Sequence, residues 1–166
     1  MKLRKYRKED ASVICSWIKD EKSLYQWTAD RIGKFPVNGD DLNAYYESVL
    51  NDKFIPLSAC GENGCLEGHL FIRYPDEADR STVRFGFVII DPELRGQGNG
   101  KKMLQLAVRY AENELHAGKI TLGVFASNDN AKYCYEAAGF RSYGKTSSFR
   151  IAGSEWECIE MEMKIS

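Results

Sequence analysis

Arg95-Gly96-Gln97-Gly98-Asn99-Gly100-Lys101 places three glycines at alternate positions between two stretches of opposite character. Before it, Val88-Ile89-Ile90 is an apolar run closing on Asp91-Pro92, where a proline without an N–H should end the hydrogen-bond ladder. After it, Met103, Ala107, Tyr110 and Ala111 recur at helical spacing, with Leu104, Val108 and Leu115 beside them. Strand, glycine loop and helix together make a device for holding an anion. Glycine, lacking Cβ, lets backbone N–H groups approach a ligand, and a helix start adds unpaired donors and roughly half a positive charge. Two familiar phosphate loops do not fit. The Walker pattern needs Gly where Arg95 stands and Ser or Thr where Lys102 stands; the dinucleotide fingerprint needs its third Gly at Lys101.

Arg95-x-x-Gly98-x-Gly100 resembles the Gln/Arg-x-x-Gly-x-Gly/Ala loop of the GNAT N-acetyltransferases, which bind acetyl-coenzyme A (acetyl-CoA). A second segment resembles the same family: Asn128, Ala131, Tyr135 and Gly139-Phe140 reproduce its Asn-x-x-Ala-x-x-x-Tyr-x-x-x-Gly-Phe pattern. The two motifs stand in the family's order with a strand-like Ile120 to Phe125 between them, and the specific resemblance runs from Val83 to Phe140. It implies an acetyl-CoA pyrophosphate on the N–H groups of Gln97, Gly98, Gly100 and Lys101, within the loop Arg95, Gly96, Gln97, Gly98, Asn99, Gly100, Lys101. Arg95, Lys101, Lys102 and Lys132 are cations that could meet phosphates. It further implies that Val88, Ile89 and Ile90 splay from the next strand, pair with pantetheine and offer an N–H to the developing oxyanion. Pro92 would help release that ladder. By the same resemblance Tyr135 protonates the departing thiolate, which suits a phenol whose ordinary pKa is about 10. Tyr133, two positions away, falls on another helix face and reads as a surface or packing residue. Asn128 begins its helix and is placed to cap it, and the resemblance implies that it also touches the coenzyme.

The elements that must position these groups follow in chain order. Leu3 to Tyr6 is a short strand. Asp10 is placed to cap a helix with the apolar face Val13, Ile14, Trp17 and Ile18, and Ser23 with Gln26 to form a capping box for a helix carrying Leu24 and Trp27. Asp30 to Gly39 is a loop, and Leu42, Tyr45, Tyr46, Val49 and Leu50 mark another helix. Phe54 to Cys60 and Cys65 to Tyr74 are strands joined at Asn63-Gly64, a hairpin turn. Arg80 to Ile90 follows as a strand after the polar turn Pro75 to Asp79. Beyond the glycine loop come a helix, a strand (Ile120 to Phe125), a helix (Asn128 to Ala138) and a strand (Phe140 to Gly144). The last strand, Trp156 to Ile165, alternates between an apolar face (Ile159, Met161, Met163, Ile165) and another carrying Cys158, Glu160, Glu162 and Lys164. This is a mixed α/β (α+β) order with a mostly antiparallel central sheet flanked by helices, which agrees with the fold the resemblance implies. No repeat or linker divides residues 1–166, so one N-acetyltransferase domain is expected.

Composition narrows the class. With 166 residues, 43% hydrophobic, 28% charged and a net charge of −1, the chain has no global field to favour nucleic acid or an anionic membrane. Five cysteines without a Cys-x-x-Cys pair suit a reducing compartment, with Cys15, Cys134 and Cys158 as small core residues. The basic N-terminus leads into no apolar signal stretch, so the cytoplasm is expected. Cys60, Cys65 and His69 lack a fourth ligand, and the intervening Gly-Glu-Asn-Gly serves as a turn, so no metal site is expected.

One catalytic part is missing. Family members that acetylate protein N-termini often carry Glu in a Leu-Glu-Val-like run before the Asn; here the run is Leu122-Gly123-Val124, and Ser81 to Ile90 holds no Asp or Glu. Water-mediated deprotonation of an amine near pKa 8 remains open, with Glu67, His69 and Glu157 as alternatives from neighbouring strands. Trp27, Arg31, Phe35 and Tyr46 either pack the core or line an acceptor pocket. Leu3-Arg4, Glu9-Asp10-Ala11, the Trp of the first helix and Glu155-Trp156 look like the branch that modifies ribosomal-protein N-termini, itself similar to enzymes acting on aminoglycosides or polyamines. The expected activity is direct acetyl transfer from acetyl-CoA to an amine, either a peptide N-terminus or an aminoglycoside-like or polyamine-like small molecule, in a chain free to form a homodimer. A non-catalytic coenzyme A sensor is the alternative.

Overall fold

The computed structural model describes residues 1–166. Its strands are β1 (Lys2–Lys5), β2 (Phe54–Cys60), β3 (Leu66–Arg73), β4 (Thr82–Ile90), β5 (Lys119–Phe125), β6 (Arg141–Ile151) and β7 (Ser154–Lys164). Helices α1 (Asp10–Ser16), α2 (Glu21–Thr28) and α3 (Gly39–Val49) separate β1 from β2. Helix α4 (Asn99–Asn113) lies between β4 and β5, and α5 (Asp129–Ala138) between β5 and β6. The strands form one sheet in the order β1-β2-β3-β4-β5-β7-β6, and every neighbouring pair is antiparallel except β4–β5.

Alternation along the strands divides the apolar residues between two faces. On one face Leu70, Ile72, Val83, Phe85, Ile120, Leu122 and Met161 pack against Met103, Leu104, Ala107 and Ala111 of α4 and Tyr135 of α5. On the other, Phe54, Phe71, Phe87 and Ile89 meet Ile14, Leu24, Trp27, Leu42 and Tyr46 of α1–α3. The three-layer arrangement matches the mixed, mostly antiparallel α/β order read from the sequence.

Local chemistry differs from expectation at several termini. Asp10 does not cap α1. It is buried, accepting from Arg4 Nη1 and Nη2 (2.7 and 2.8 Å), Arg7 N–H (2.9 Å) and Ser58 Oγ (2.7 Å), and so ties β1, β2 and α1 together. Helix α2 is capped by Asp20, whose carboxylate accepts from Ser23 N–H, one turn earlier than the Ser23–Gln26 box. Val13 is exposed, because the buried stripe of α1 runs through Ala11, Ile14 and Cys15 and leaves Val13 to one side. Strand β6 runs on to Ile151. A two-residue turn at Ala152-Gly153, both at positive φ (50° and 81°), returns the chain into β7. The sequence signal stops at Gly144 because Lys145 to Ser148 is polar on both faces. Gly144, at φ 81°, falls where the register shifts between Ser142 and Thr146.

Burial by itself would raise the Asp10 pKa, but the bonds from Arg4, Ser58 and the Arg7 amide outweigh it and hold the carboxyl below the usual range. A depressed folded pKa stabilises above the unfolded value of about 3.9 and is lost as pH falls through the folded one. Asp10→Asn is therefore expected to lower stability by about 2 kcal/mol at neutral pH. In urea titrations the gap from the parent should close towards pH 3; a gap independent of pH would show that the charge is irrelevant.

Candidate active site

The glycine loop is a continuous run of unmet donors. None of the six N–H groups from Gly96 to Lys101 makes a backbone or side-chain hydrogen bond within the protein; Arg95 N–H still reaches Pro92 O, and Lys102 N–H resumes the helical pattern to Gly98 O. The side chains that could have capped these donors turn away. Gln97 Nε2 donates to Glu93 O (3.2 Å) and Asn99 Nδ2 to Leu94 O (2.9 Å). Gly98, the N-cap of α4, offers no side-chain cap. Gly96 and Gly98 sit at φ 71° and 81°, where only glycine is comfortable, and a Cβ on either would meet nothing within 4 Å. Gly100 is a glycine for another reason: a Cβ there would lie 2.7 Å from Cys134 Sγ, so α4 starts in close contact with α5. Arg95 Nε donates to Ile90 O (3.1 Å), which joins the loop to the end of β4. Lys101 and Lys102 are exposed and Lys132 half-buried.

β4 and β5 are zipped over only three rungs, Thr82–Lys119, Val83–Ile120 and Arg84–Thr121. Beyond Arg84, β4 continues to Ile90 with β3 alone while β5 continues to Phe125 with β7 alone. The two parallel strands thus diverge into a cleft whose β4 wall includes Val88, Ile89 and Ile90. Pro92 does not cause this. Asp91 N–H still donates to Glu67 O (2.9 Å), and Pro92 opens a short 3₁₀ turn, Pro92–Leu94, six or more residues past the separation. A bulge reshapes the same wall: Phe87 and Val88 together face the single residue Leu70, with Phe87 at φ 49°. The Phe87 carbonyl accepts from Trp27 Nε1 (2.9 Å), and because C=O and N–H of a trans peptide point in opposite directions, this bond also fixes the aim of the Val88 N–H.

Asn128 caps α5 through its side chain, accepting from Ala131 N–H (3.3 Å). That helix separates the two tyrosines decisively, Tyr133 being 76% exposed and Tyr135 8%. The Tyr135 ring packs against Phe140 (6.5 Å between centroids), yet its hydroxyl has no partner in the protein and is not sealed from solvent. Burial, with smaller contributions from Cys134 and Cys158, pushes the phenol well above its ordinary pKa, so it holds its proton at any working pH.

The other proposed groups separate into packing and site residues. Trp27 and Tyr46 are buried. His69 is fully buried, its Nε2 is hydrogen-bonded with the Tyr46 hydroxyl, and its Nδ1 has no hydrogen-bond partner. Desolvation pulls His69 down to about 3, so it is a neutral structural histidine with no route to an acceptor. Glu157 is exposed on β7. Phe35 and Arg31 remain exposed on the loop after α2.

Glu160, on the β7 face that also carries Cys158, is 8% exposed. It sits directly across the ladder from Gly123, the position where a Leu-Glu-Val run would have its carboxylate. Arg84 binds it with both terminal nitrogens (2.7 and 3.3 Å), and Ser147 Oγ donates at 3.2 Å. A Cβ on Gly123 would stand 2.8 Å from Arg84 Nη2 and 2.7 Å from Cys158 Sγ, so the absence of a side chain there makes room for the Arg84–Glu160 pair. The legible signal was a glycine inside an apolar strand, which marks close approach by a neighbour. No group of three or more His, Cys, Asp or Glu is arranged to hold a metal ion, and no helix is long and apolar enough to cross a membrane.

Residues 15–140 match the model of the acetyltransferase (GNAT) family. Among solved structures, a spermidine N-acetyltransferase from Vibrio cholerae, in complex with CoA and spermine, superposes with a TM-score of 0.78 at 21% identity, over 98% of this chain and 94% of that one. A candidate phosphinothricin N-acetyltransferase superposes with a TM-score of 0.76 at 22% identity, over 99% and 98%. At such identities these likenesses establish the fold and leave the acceptor open. The family match, set beside the unzipped strands and the glycine loop, makes the conclusion plain: the chain belongs to the GNAT family and is an N-acetyltransferase whose cosubstrate is acetyl-CoA.

Proposed function

We propose that the chain transfers acetyl directly from the thioester to a primary amine in a ternary complex, with the donor's diphosphate on the N–H groups of Gly96 to Lys101. The observation that carries this reading is the run of six unmet donors at the mouth of the β4–β5 cleft. Pantetheine lies along Val88, Ile89 and Ile90, whose β5-facing edge has no strand partner. Asn99 holds the loop to the 3₁₀ turn, Asn128 holds the start of α5, and Arg95 braces the loop against Ile90.

At the reacting carbon, attack by the neutral amine forms the C–N bond and sends charge to the thioester oxygen. The Val88 N–H, oriented by the Trp27–Phe87 bond, is the donor best placed to receive it. Collapse breaks the C–S bond, and Tyr135 gives its proton to the thiolate. Of the carboxylates on the neighbouring strands, Glu160 is committed to Arg84, the Glu67 side chain lies against Gly61 and Glu157 is exposed on β7. Deprotonation therefore passes to water.

This makes a signed prediction for the pH profile. Since only the neutral amine reacts, kcat/KM should rise about tenfold per pH unit up to the acceptor's own pKa. The raised Tyr135 phenol should impose no falling limb below about pH 10. Thiol release followed across pH with two amines of different basicity checks it: the break should move with the amine. A break fixed near a carboxylate or histidine pKa would establish a protein base instead. The acceptor is a small-molecule amine or a peptide N-terminus, and stimulation of thiol release across a panel of both tests the assignment. Coenzyme binding without stimulation by any amine would defeat it.

A further inference from the structure

Antiparallel register sets Arg73 of β3 directly opposite Arg84 of β4. Like charges facing one another across a ladder are destabilising, and such a pair persists when something compensates it. Arg84 has compensation in the bidentate Glu160 contact. Arg73 has none. It is half-buried and makes no side-chain hydrogen bond or ion pair, and the nearby Arg31 guanidinium is likewise unpaired. The group thus carries three guanidiniums against one carboxylate.

Its place in the fold tells which anion it could serve. Arg84 is the last β4 residue zipped to β5, at the vertex of the cleft. The Ile90 end, where the glycine loop begins, is six strand residues away, roughly 20 Å. The diphosphate at Gly96 to Lys101 is therefore out of reach of Arg73 and Arg84. Both arginines project on the α1–α3 side, with Phe71, and Tyr45 of α3 links them to the reaction centre. The Tyr45 ring stacks on Phe87 of the bulge (5.3 Å between centroids, 28° between planes), and the charges acting on its phenol are Arg31 and Arg73. From Phe87 to Arg84 is three strand residues, roughly 10 Å, much of which an extended arginine side chain covers.

We infer that the acceptor amine carries its own carboxylate or phosphono group, received by Arg73 with Arg84 and Arg31 beside it while the amine reaches the bulge at Phe87–Val88. The short span between the two positions fits a compact amino acid or aminoalkylphosphonate, whereas a polyamine would bring cations to unpaired guanidiniums. This inference rests on the N-acetyltransfer reading above.

The test is thiol release from acetyl-CoA with matched amines that differ in the anion: β-alanine and 4-aminobutyrate against propylamine and butylamine, 2-aminoethylphosphonate against ethylamine, and spermidine as the polycation. One buried charge-assisted contact corresponds to about 10- to 100-fold, so kcat/KM should favour each anionic member by at least that factor. Arg73→Gln should shrink the preference by a similar factor through KM, with coenzyme affinity unchanged by calorimetry, and Arg73→Lys should restore part of it. The carboxylate and phosphonate arms identify which anion the site prefers. Equal or better turnover of the neutral amines or spermidine overturns the inference while leaving amine acetylation intact, as does a preference that survives Arg73→Gln. No stimulation by any amine, with coenzyme still bound, overturns both.

Discussion

Tyr135→Phe is expected to lower kcat by roughly 100- to 1,000-fold while the affinity for acetyl-CoA stays within a factor of two or so, the signature of an interaction made only in the transition state. The structural grounds are specific. The ring is clamped against Phe140 in the core, so Phe occupies the same space, and the hydroxyl that disappears has no partner within the protein. No internal hydrogen bond is lost and folding should be unaffected. Tyr133→Phe, at a 76% exposed position on the same helix, is the matched control and should leave kcat unchanged. Rapid quench or continuous thiol detection gives kcat, and calorimetry gives the coenzyme dissociation constant. Equal losses in kcat and affinity would remove Tyr135 from the proton path and make it a packing residue of the coenzyme cleft.

Gly98→Val should act on the other half of the reaction, weakening coenzyme binding by at least about tenfold while lowering the unfolding temperature by only a few degrees. Gly98 holds φ 81°, a region that costs a β-branched residue about 1–2 kcal/mol, and a Cβ there enters open space with nothing within 4 Å. Nothing in the core is disturbed, so the cost falls on the loop. Either the valine keeps the strained backbone and stands where the diphosphate must lie, or the loop relaxes and its N–H groups lose their common aim. Calorimetric titration with coenzyme A distinguishes these losses from global unfolding when paired with a thermal melt. Undiminished affinity would show that the diphosphate is held by side chains, Lys101 and Lys102 foremost, and not by the main chain.

Much of this was legible in the residues. Alternate glycines between an apolar strand and an amphipathic helix predict uncapped donors, and the structure has them, since Gln97 and Asn99 spend their amides on the preceding turn. Asn128 reads as a cap and is one. Phe54 to Cys60 is bounded correctly because a hairpin turn defines its far end. The failures share a cause: a charged or aromatic side chain whose partner is distant in sequence. Asp10 looks like a helix cap until β2 brings Ser58 to it from 48 residues away. Glu160 reads only as one charge on a mixed strand face, and its partner Arg84 comes from β4, 76 residues away. Trp27 is a helix-face aromatic in the sequence, and only the β4 bulge reveals its use as a donor to the Phe87 carbonyl. Local periodicity registers which face a residue occupies, and says nothing of an ion pair assembled by strand order.

That strand order also explains how the enzyme divides its work. The β4–β5 ladder ends at Arg84–Thr121, so one register decision leaves the upper part of β4 without a β5 partner and places the arginines at the vertex below. On the proposed reading, the donor's diphosphate and the acceptor's anion take opposite ends of the same strand, with the bulge and Tyr135 between them.

The account depends above all on the main-chain amides of Gly96 to Lys101 taking the donor's diphosphate. Amide proton and nitrogen shifts of those six residues, followed during titration with coenzyme A and separately with pantetheine, test this most directly. The amides should move downfield and gain protection from exchange with coenzyme A, and stay in place with pantetheine, which has no diphosphate. Saturating coenzyme binding that leaves these six resonances unmoved would contradict the account.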